Sequence, residues 1–268
     1  MKEELQNFFT NLDNLSTLNN IFIEDLETNI INDTISSEEY KIQIKDLLKS
    51  NKKNNTINSY KFYTDRSLNN RGSKEIKMGA AWIQTVGPYS DSVFKTGVDN
   101  WPSAARAEAT AIATAILTVP QDKKVEIFMD SQNCINNYTY LLTNNPKQTH
   151  KRWLKMNNWS IWSTIINTVK KKNIKLTLTK VKAHSNNPLN DKANILAKEA
   201  SQLPSISWTQ FRKYKIQTIP KWKEIIIDIA PRNFIKEINK IKILKEWTNQ
   251  QRIQNLFGQE IQEPDKYK

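Results

Sequence analysis

Three carboxylates in this chain stand where carboxylates seldom stand. Asp65 closes the strand-like run from Tyr60, Asp130 follows the apolar run Val125–Met129, and Glu108 lies inside the alanine-rich stretch 103–117. A carboxylate is almost never fully buried unless a partner compensates its charge. Three of them converging on one sheet would repel strongly unless a divalent cation sat between them. The fold is therefore constrained to bring two strand ends and one helix together around a hard cation with oxygen ligands.

The rest of the chain reads as a scaffold for that convergence. Alternating or continuous apolar runs predict strands over Tyr60–Asp65, Lys77–Thr85 and Ser92–Val98, with Gly87-Pro88 as the turn between the last two. Helix 103–117 follows, then strand 125–130, helix 131–142, helix 159–172, strand 174–181 and helix 189–202. The order βββαβαβα predicts an α/β domain: a mixed sheet of five strands, three antiparallel and then parallel additions, flanked by helices.

Glu108 is the sharpest test of the pattern. It lies three residues after Ala105 and four before Ile112, so it shares the apolar face of its helix with Ala105, Ala109, Ile112 and Ile116. A lone Glu on such a face usually snorkels or pairs with a cation. Here the helix is expected to cover the strand ends that carry Asp65 and Asp130, at the carboxyl edge where open α/β sheets place their chemistry.

The flanks read differently. Residues 1–56 form an expected accessory helical segment and linker, with a helical period at Leu5, Phe8, Phe9, Leu12 and Leu15, a weaker helix over Ser37–Leu48 and an Asn/Lys-rich linker over 50–59. Residues 57–202 form the main domain. Residues 203–268 form an expected basic helical extension, interrupted by Pro204, Pro220 and Pro231. Its stripe Ile235, Ile238, Ile241, Leu244 and Trp247 is expected to pack on the main domain or on a neighbour.

Charge narrows the partners. The chain holds 40 Lys plus Arg against 27 Asp plus Glu, a formal +13. Residues 1–56 carry 6 lysines and 10 acids, a net of −4, which leaves +17 on the remainder. Such an excess is the footprint of a polyanion binder or of a lysine-rich soluble surface. The single Cys134 excludes an internal disulfide framework. Residues 1–20 lack a signal pattern and no apolar run approaches a membrane span, so an intracellular protein of cytoplasm or nucleus, with no membrane partner, is expected. Oligomeric state is not legible.

Four runs in fixed order carry a family resemblance. They are Thr64-Asp65-Arg66-Ser67, Arg106-Ala107-Glu108-Ala109, Asp130-Ser131-Gln132, and Val181-Lys182-Ala183-His184-Ser185 continuing to Asn190 and Asn194-Ile195-Leu196-Ala197. Together they resemble the type 1 ribonuclease H domain, in particular the version attached to retroelement reverse transcriptases. The resemblance implies a ribonuclease H-like sheet and endonucleolytic hydrolysis of the RNA strand of an RNA–DNA hybrid. It implies two Mg²⁺ ions, replaceable by Mn²⁺, held by Asp65, Glu108, Asp130 and the residue at 194, one serving the attacking water and the other the leaving oxygen. His184 matches a loop histidine that moves protons or helps product leave. Gln132 matches a contact near the 2′-hydroxyls, and Ser103 matches a small hydroxyl residue that helps hold a DNA-strand phosphate. Lys151, Arg152 and Lys155, interleaved with tryptophans, resemble a basic handle that grips the hybrid.

Two positions depart from the family pattern. Arg66 replaces a small glycine, and Asn194 replaces the fourth carboxylate; Asp191, one turn earlier, is a candidate substitute. These departures leave a second reading open, a hybrid-binding module with impaired catalysis. A transposase or integrase expects its glutamate last rather than second, and no Tyr-x-Asp-Asp polymerase run occurs.

Overall fold

A strand whose side chains are buried on both faces needs cover on both, and β1 at the centre of the sheet has it. The computed structural model describes residues 25–53, 56–71, 73, 75–144, 149–182, 187–209 and 219–252. The helical period at 5–15 and the loop residue His184 lie outside the described residues. The elements are α1 (Leu26–Thr34), α2 (Glu38–Lys52), β1 (Ser59–Asn69), β2 (Lys77–Val86), β3 (Val93–Val98), α3 (Ala104–Leu117), β4 (Lys124–Met129), α4 (Gln132–Asn144), α5 (His150–Trp153), α6 (Trp159–Lys171), β5 (Lys175–Lys180), α7 (Pro188–Ala200), β6 (Lys221–Trp222), β7 (Ile225–Ile226) and α8 (Pro231–Thr248). Five strands form a mixed sheet in the order β3-β2-β1-β4-β5. The pairs β1–β2 and β2–β3 are antiparallel; β1–β4 and β4–β5 are parallel. This is the architecture expected from the element order.

Helices cover both faces. Successive residues of a strand point to opposite sides. On β1, the Thr64 hydroxyl donates to Glu108 of α3, whereas Asn69, five residues on, donates to Ser201 at the end of α7. The helices therefore lie on opposite faces. Gly79 of β2 lets α7 approach closely, since a Cβ there would sit 2.2 Å from the Ala197 carbonyl oxygen. Ala193, Ala197 and Ala200 supply the matching small surface.

Helix α3 is buried on all sides from Arg106 to Leu117, not on one face as its apolar stripe suggested. The outer face is closed by α6, which buries Trp159, Ile161, Trp162, Ile165 and Ile166, and by α1 and α2, whose Ile30, Ile31, Ile44 and Leu48 join the same core. Each such side chain contributes roughly 1.5–3 kcal/mol by leaving water. The C-terminal end of α3 is capped by fully buried Lys172, whose ammonium donates to the carbonyls of Ile116, Leu117 and Val119 at 3.3, 2.8 and 2.7 Å. Three carbonyl partners match the three donors of an ammonium.

The stretch expected as a linker begins as structure. Asn51, on the last turn of α2, is buried and exchanges hydrogen bonds with Gln84 at 3.0 Å each way, and also donates to the Thr118 carbonyl. The flank after α7 likewise joins the sheet region. Gly97 of β3 donates to the Pro204 carbonyl and accepts from the Ile206 amide, and Ser36 and Thr34 then bond Ser207 and Thr209. Residues 204–206 so run along the outer edge of β3, where unpaired backbone would otherwise invite other chains, and residues 207–209 run beside residues 34–36. Further on, α8 buries Phe234, while Ile235, Leu244 and Trp247 of its apolar stripe are exposed. Of the expected stripe, Ile238 and Ile241 are half-buried. No described helix is long and apolar enough to cross a membrane.

Candidate metal centre and nucleic-acid interface

The site begins where β1 and β4 part. Their parallel ladder ends at Tyr63 and Phe128. Beyond that rung β1 continues with β2 as far as Asn69, and β4 continues with β5 to Met129. Asp65 and Asp130 follow the last shared rung on either side of the opening, and Glu108 reaches the same place from α3. One carboxylate oxygen from each lies within 4.8 Å of the others.

Asp65 and Glu108 are each held by one carboxylate oxygen and left bare at the other. Asp65 Oδ1 accepts from the Arg66 amide at 2.7 Å, and Glu108 Oε1 accepts from the Thr64 hydroxyl at 3.1 Å. Asp65 Oδ2, Glu108 Oε2 and Asp130 Oδ1 are buried atoms with no protein hydrogen-bond partner. Buried polar atoms are nearly always satisfied, so three orphans in one carboxylate cluster require an account. They fit a divalent hard cation in donor type, charge and convergence.

The electrostatics agree. Burial, then the charges of Asp65 and Asp130, push Glu108 up to about 8, against the pull of Arg66 and Thr64. Asp65 is also raised, chiefly by burial and by Asp130, against its hydrogen bond from the Arg66 amide. Arg66, half-buried, therefore acts as the local counter-charge. Burial and then Glu108 push the neighbouring Cys134 thiol up to about 12, so it stays protonated.

Asn194 of α7, half-buried, meets Asp65: its amide pulls the Asp65 carboxyl down as a hydrogen-bond partner. Asp65 Oδ2 still lacks a bond of good geometry. Asn190, one turn earlier, is buried with its Oδ1 unpartnered, while Asp191 is exposed and outside the carboxylate cluster. The structure thus brings together Asp65, Glu108, Asp130 and Asn194.

The other expected residues frame this centre. Ser103 is the N-cap of α3, its hydroxyl accepting from the Arg106 amide at 3.0 Å and from Asn158 Nδ2 at 3.4 Å. Gln132 opens α4 two residues after Asp130; its exposed side chain donates to Asn136. Lys180 at the end of β5 donates to the Asp130 carbonyl. Lys151 and Arg152 are exposed on α5, which is anchored by buried Trp153, and exposed Lys155 lies three residues before Asn158. The basic segment therefore runs into the residue that touches Ser103, rather than into the carboxylates.

One pair escaped the sequence reading. Arg106, on the first turns of α3, makes a buried ion pair with Asp228 at 2.5 Å. Asp228 was legible by the signal that marked Asp130, a carboxylate within an apolar run, here Ile225–Ala230.

Sheet order, helix placement and a carboxylate trio at the parting strands define an α/β domain with a candidate hard-cation centre. The chain belongs to the RNase H family, whose sequence model matches residues 57–202, more than half its length. No curated protein matches it. Two solved structures of a foamy viral protease–reverse transcriptase resemble it at 19% identity over 53% of this chain. One is in complex with RNA/DNA hybrid (TM-score 0.40) and the other with dsDNA (TM-score 0.38). The similarity spans 20% of the first of those chains and 92% of the second.

Proposed function

We propose that this protein hydrolyses the RNA strand of RNA–DNA hybrids, endonucleolytically and with divalent cations. The observation that carries the reading is the trio of unpartnered oxygens on Asp65, Glu108 and Asp130, in a chain of the RNase H family. Two Mg²⁺ ions, or Mn²⁺ in their place, would be held by Asp65, Glu108, Asp130 and Asn194, and would supply charge stabilisation and an activated water for in-line displacement. The protein's own groups set up that chemistry. Thr64 and the Arg66 amide each hold one oxygen of Glu108 and Asp65 and leave the other free for the centre. Arg66 offsets their mutual repulsion. His184 is assigned proton movement at the leaving or attacking oxygen.

Binding is assigned to groups around the centre. The Ser103 turn at the start of α3 presents a hydroxyl and a helix N-terminus to a DNA-strand phosphate. Gln132 stands beside Asp130, where a 2′-hydroxyl would distinguish RNA from DNA. Lys151, Arg152 and Lys155 extend the phosphate track beyond Ser103.

A second reading, a hybrid-binding module with impaired catalysis, is favoured by Asn194, which meets Asp65 as a neutral amide. Gel cleavage of a labelled RNA–DNA hybrid beside duplex RNA and duplex DNA, with and without Mg²⁺, tests both. The ribonuclease reading expects metal-dependent cutting confined to the RNA of the hybrid. Binding of hybrid with no cutting in either metal would select the second reading.

A further inference from the structure

Outside the carboxylate centre, a buried polar cluster forms around Asp228, a residue beyond the family match. Asp228 is 1% exposed. Its carboxylate takes the Arg106 guanidinium at 2.5 Å and the Ser160 amide at 2.9 Å, and the Ser160 hydroxyl also donates to it. Its carbonyl accepts from the Asn158 amide at 2.7 Å. The residues just before it are pinned as well: Trp159 Nε1 donates to the Ile227 carbonyl at 2.9 Å and Trp101 Nε1 to the Ile226 carbonyl at 2.5 Å. Phe234, at the start of α8, packs edge-on against Trp101 and Trp222. Residues 226–234 therefore form a strap across the starts of α3 and α6.

What the strap joins gives it a role. Arg106 is three residues into α3 from its cap Ser103, and its Nε also donates to the Asp99 carbonyl at 3.0 Å, so it ties the loop before the cap to the helix. Asn158, whose backbone Asp228 holds, is the residue whose side chain reaches the Ser103 hydroxyl. Asp228 thus grips the Ser103 turn from both sides. Glu108, by contrast, is fixed independently by Thr64. At a rise of about 1.5 Å per residue, Ser103 and Glu108 stand about 7–8 Å apart along the helix, and each has its own side-chain contact.

We propose that Asp228 is a positioning residue for hybrid binding: through Arg106 and Asn158 it sets the Ser103 turn that meets the nucleic-acid backbone. The inference rests on the ribonuclease reading of the site. Loosening the strap weakens capture of the hybrid and leaves turnover of bound hybrid nearly unchanged. A purely structural role would instead lower thermal stability with no change in affinity or KM for the folded fraction.

The test uses the full chain with Asp228→Asn, which keeps an acceptor for Ser160 and removes the charge facing Arg106. A second variant, Trp101→Phe with Trp159→Phe, unpins residues 226 and 227 while leaving the buried ion pair intact, and serves if the first does not fold. Two readouts are taken well below the melting midpoint: steady-state cleavage, and metal-free anisotropy with a labelled hybrid. Misplacement of a positioning group by about 1 Å can cost up to a hundredfold. The expected result is an affinity loss and KM rise of about tenfold, with kcat within about twofold of the parent. Folded variants with parental affinity and KM would overturn the proposal. A parent that binds but does not cleave would remove the ribonuclease reading alone, because the anisotropy comparison still decides the strap.

Discussion

Two acids, Asp130 half-buried and Asp228 buried, are announced by the same sequence signal and meet opposite fates. Each sits at or within a run of apolar residues, and each ends beside helix α3. Asp228 finds Arg106, Ser160 and the start of α6, and its oxygens are used by the protein. Asp130 meets Asp65 and Glu108, two more acids, and leaves Oδ1 bare. The two clusters are attached to α3 only two residues apart, through Arg106 and Glu108. A satisfied buried charge is part of the framework. A frustrated one, maintained against its own repulsion, marks the place where something from outside completes the set.

The sharpest way to break this contrast is to remove one partner from the satisfied pair. Arg106→Met leaves Asp228 buried without its counter-ion and should cost about 3–5 kcal/mol of stability. Urea unfolding followed by circular dichroism reads it. A loss below about 1 kcal/mol, the scale of an exposed pair, would move Asp228 out of the framework.

The converse holds in the frustrated cluster. Asp65→Asn or Asp130→Asn should lower hybrid cleavage by about a hundredfold or more, as loss of metal positioning does. The metal-free protein should be no less stable, because each change removes a like charge. Single-turnover rates and melting curves together check the claim; parental rates in either variant would dismiss the metal assignment.

Glu108 gives the comparison a pH dependence. An unfolded glutamate loses its proton near 4.5, whereas in the fold Glu108 keeps it up to about 8. Between those limits the folded state binds more protons. Its contribution to stability is complete below 4.5 and is lost as pH rises through about 8. From pH 6 to 8 the metal-free protein should lose about 2 kcal/mol from this group. Glu108→Gln should flatten that slope, which denaturant titrations at both pH values would register.

Smaller effects concern the amide. Asn194→Asp adds one negative charge beside Asp65. It should lower the Mg²⁺ concentration for half-maximal cleavage by severalfold, about 1 kcal/mol, and Mn²⁺ should serve the parent better than Mg²⁺. A Mg²⁺ titration of both proteins on one hybrid measures it. If the Asp variant gains nothing, Arg66 is the next residue to change.

The sheet and its helices were legible because periodicity and strand-end acids agree with one another. Asp65, Glu108 and Asp130 were legible because a carboxylate in an apolar context is rare. Asp228 carried the same mark, but its partner lies 122 residues away along the chain, and no local pattern links such a pair. The all-round burial of α3 was equally hidden: its alanines and threonines suit a helix in contact on every side, but that contact comes from α6, α1 and α2. Asn51 read as linker, and residues 204–209 as part of the helical extension, because their hydrogen bonds go to distant segments. What covers the stripe of α8 was not legible either, since amphipathic spacing says which side is apolar and not what packs on it.

The most direct test of the central claim, that the frustrated trio is a cation site, is metal-dependent melting above pH 8. There Glu108 is ionised and repulsion in the cluster is greatest. Saturating Mn²⁺ should raise the melting midpoint of the parent protein by several degrees, as a ligand bound only to the folded state does. Glu108→Gln should show little or no rise. An equal rise in both proteins, or none in the parent, would contradict the account.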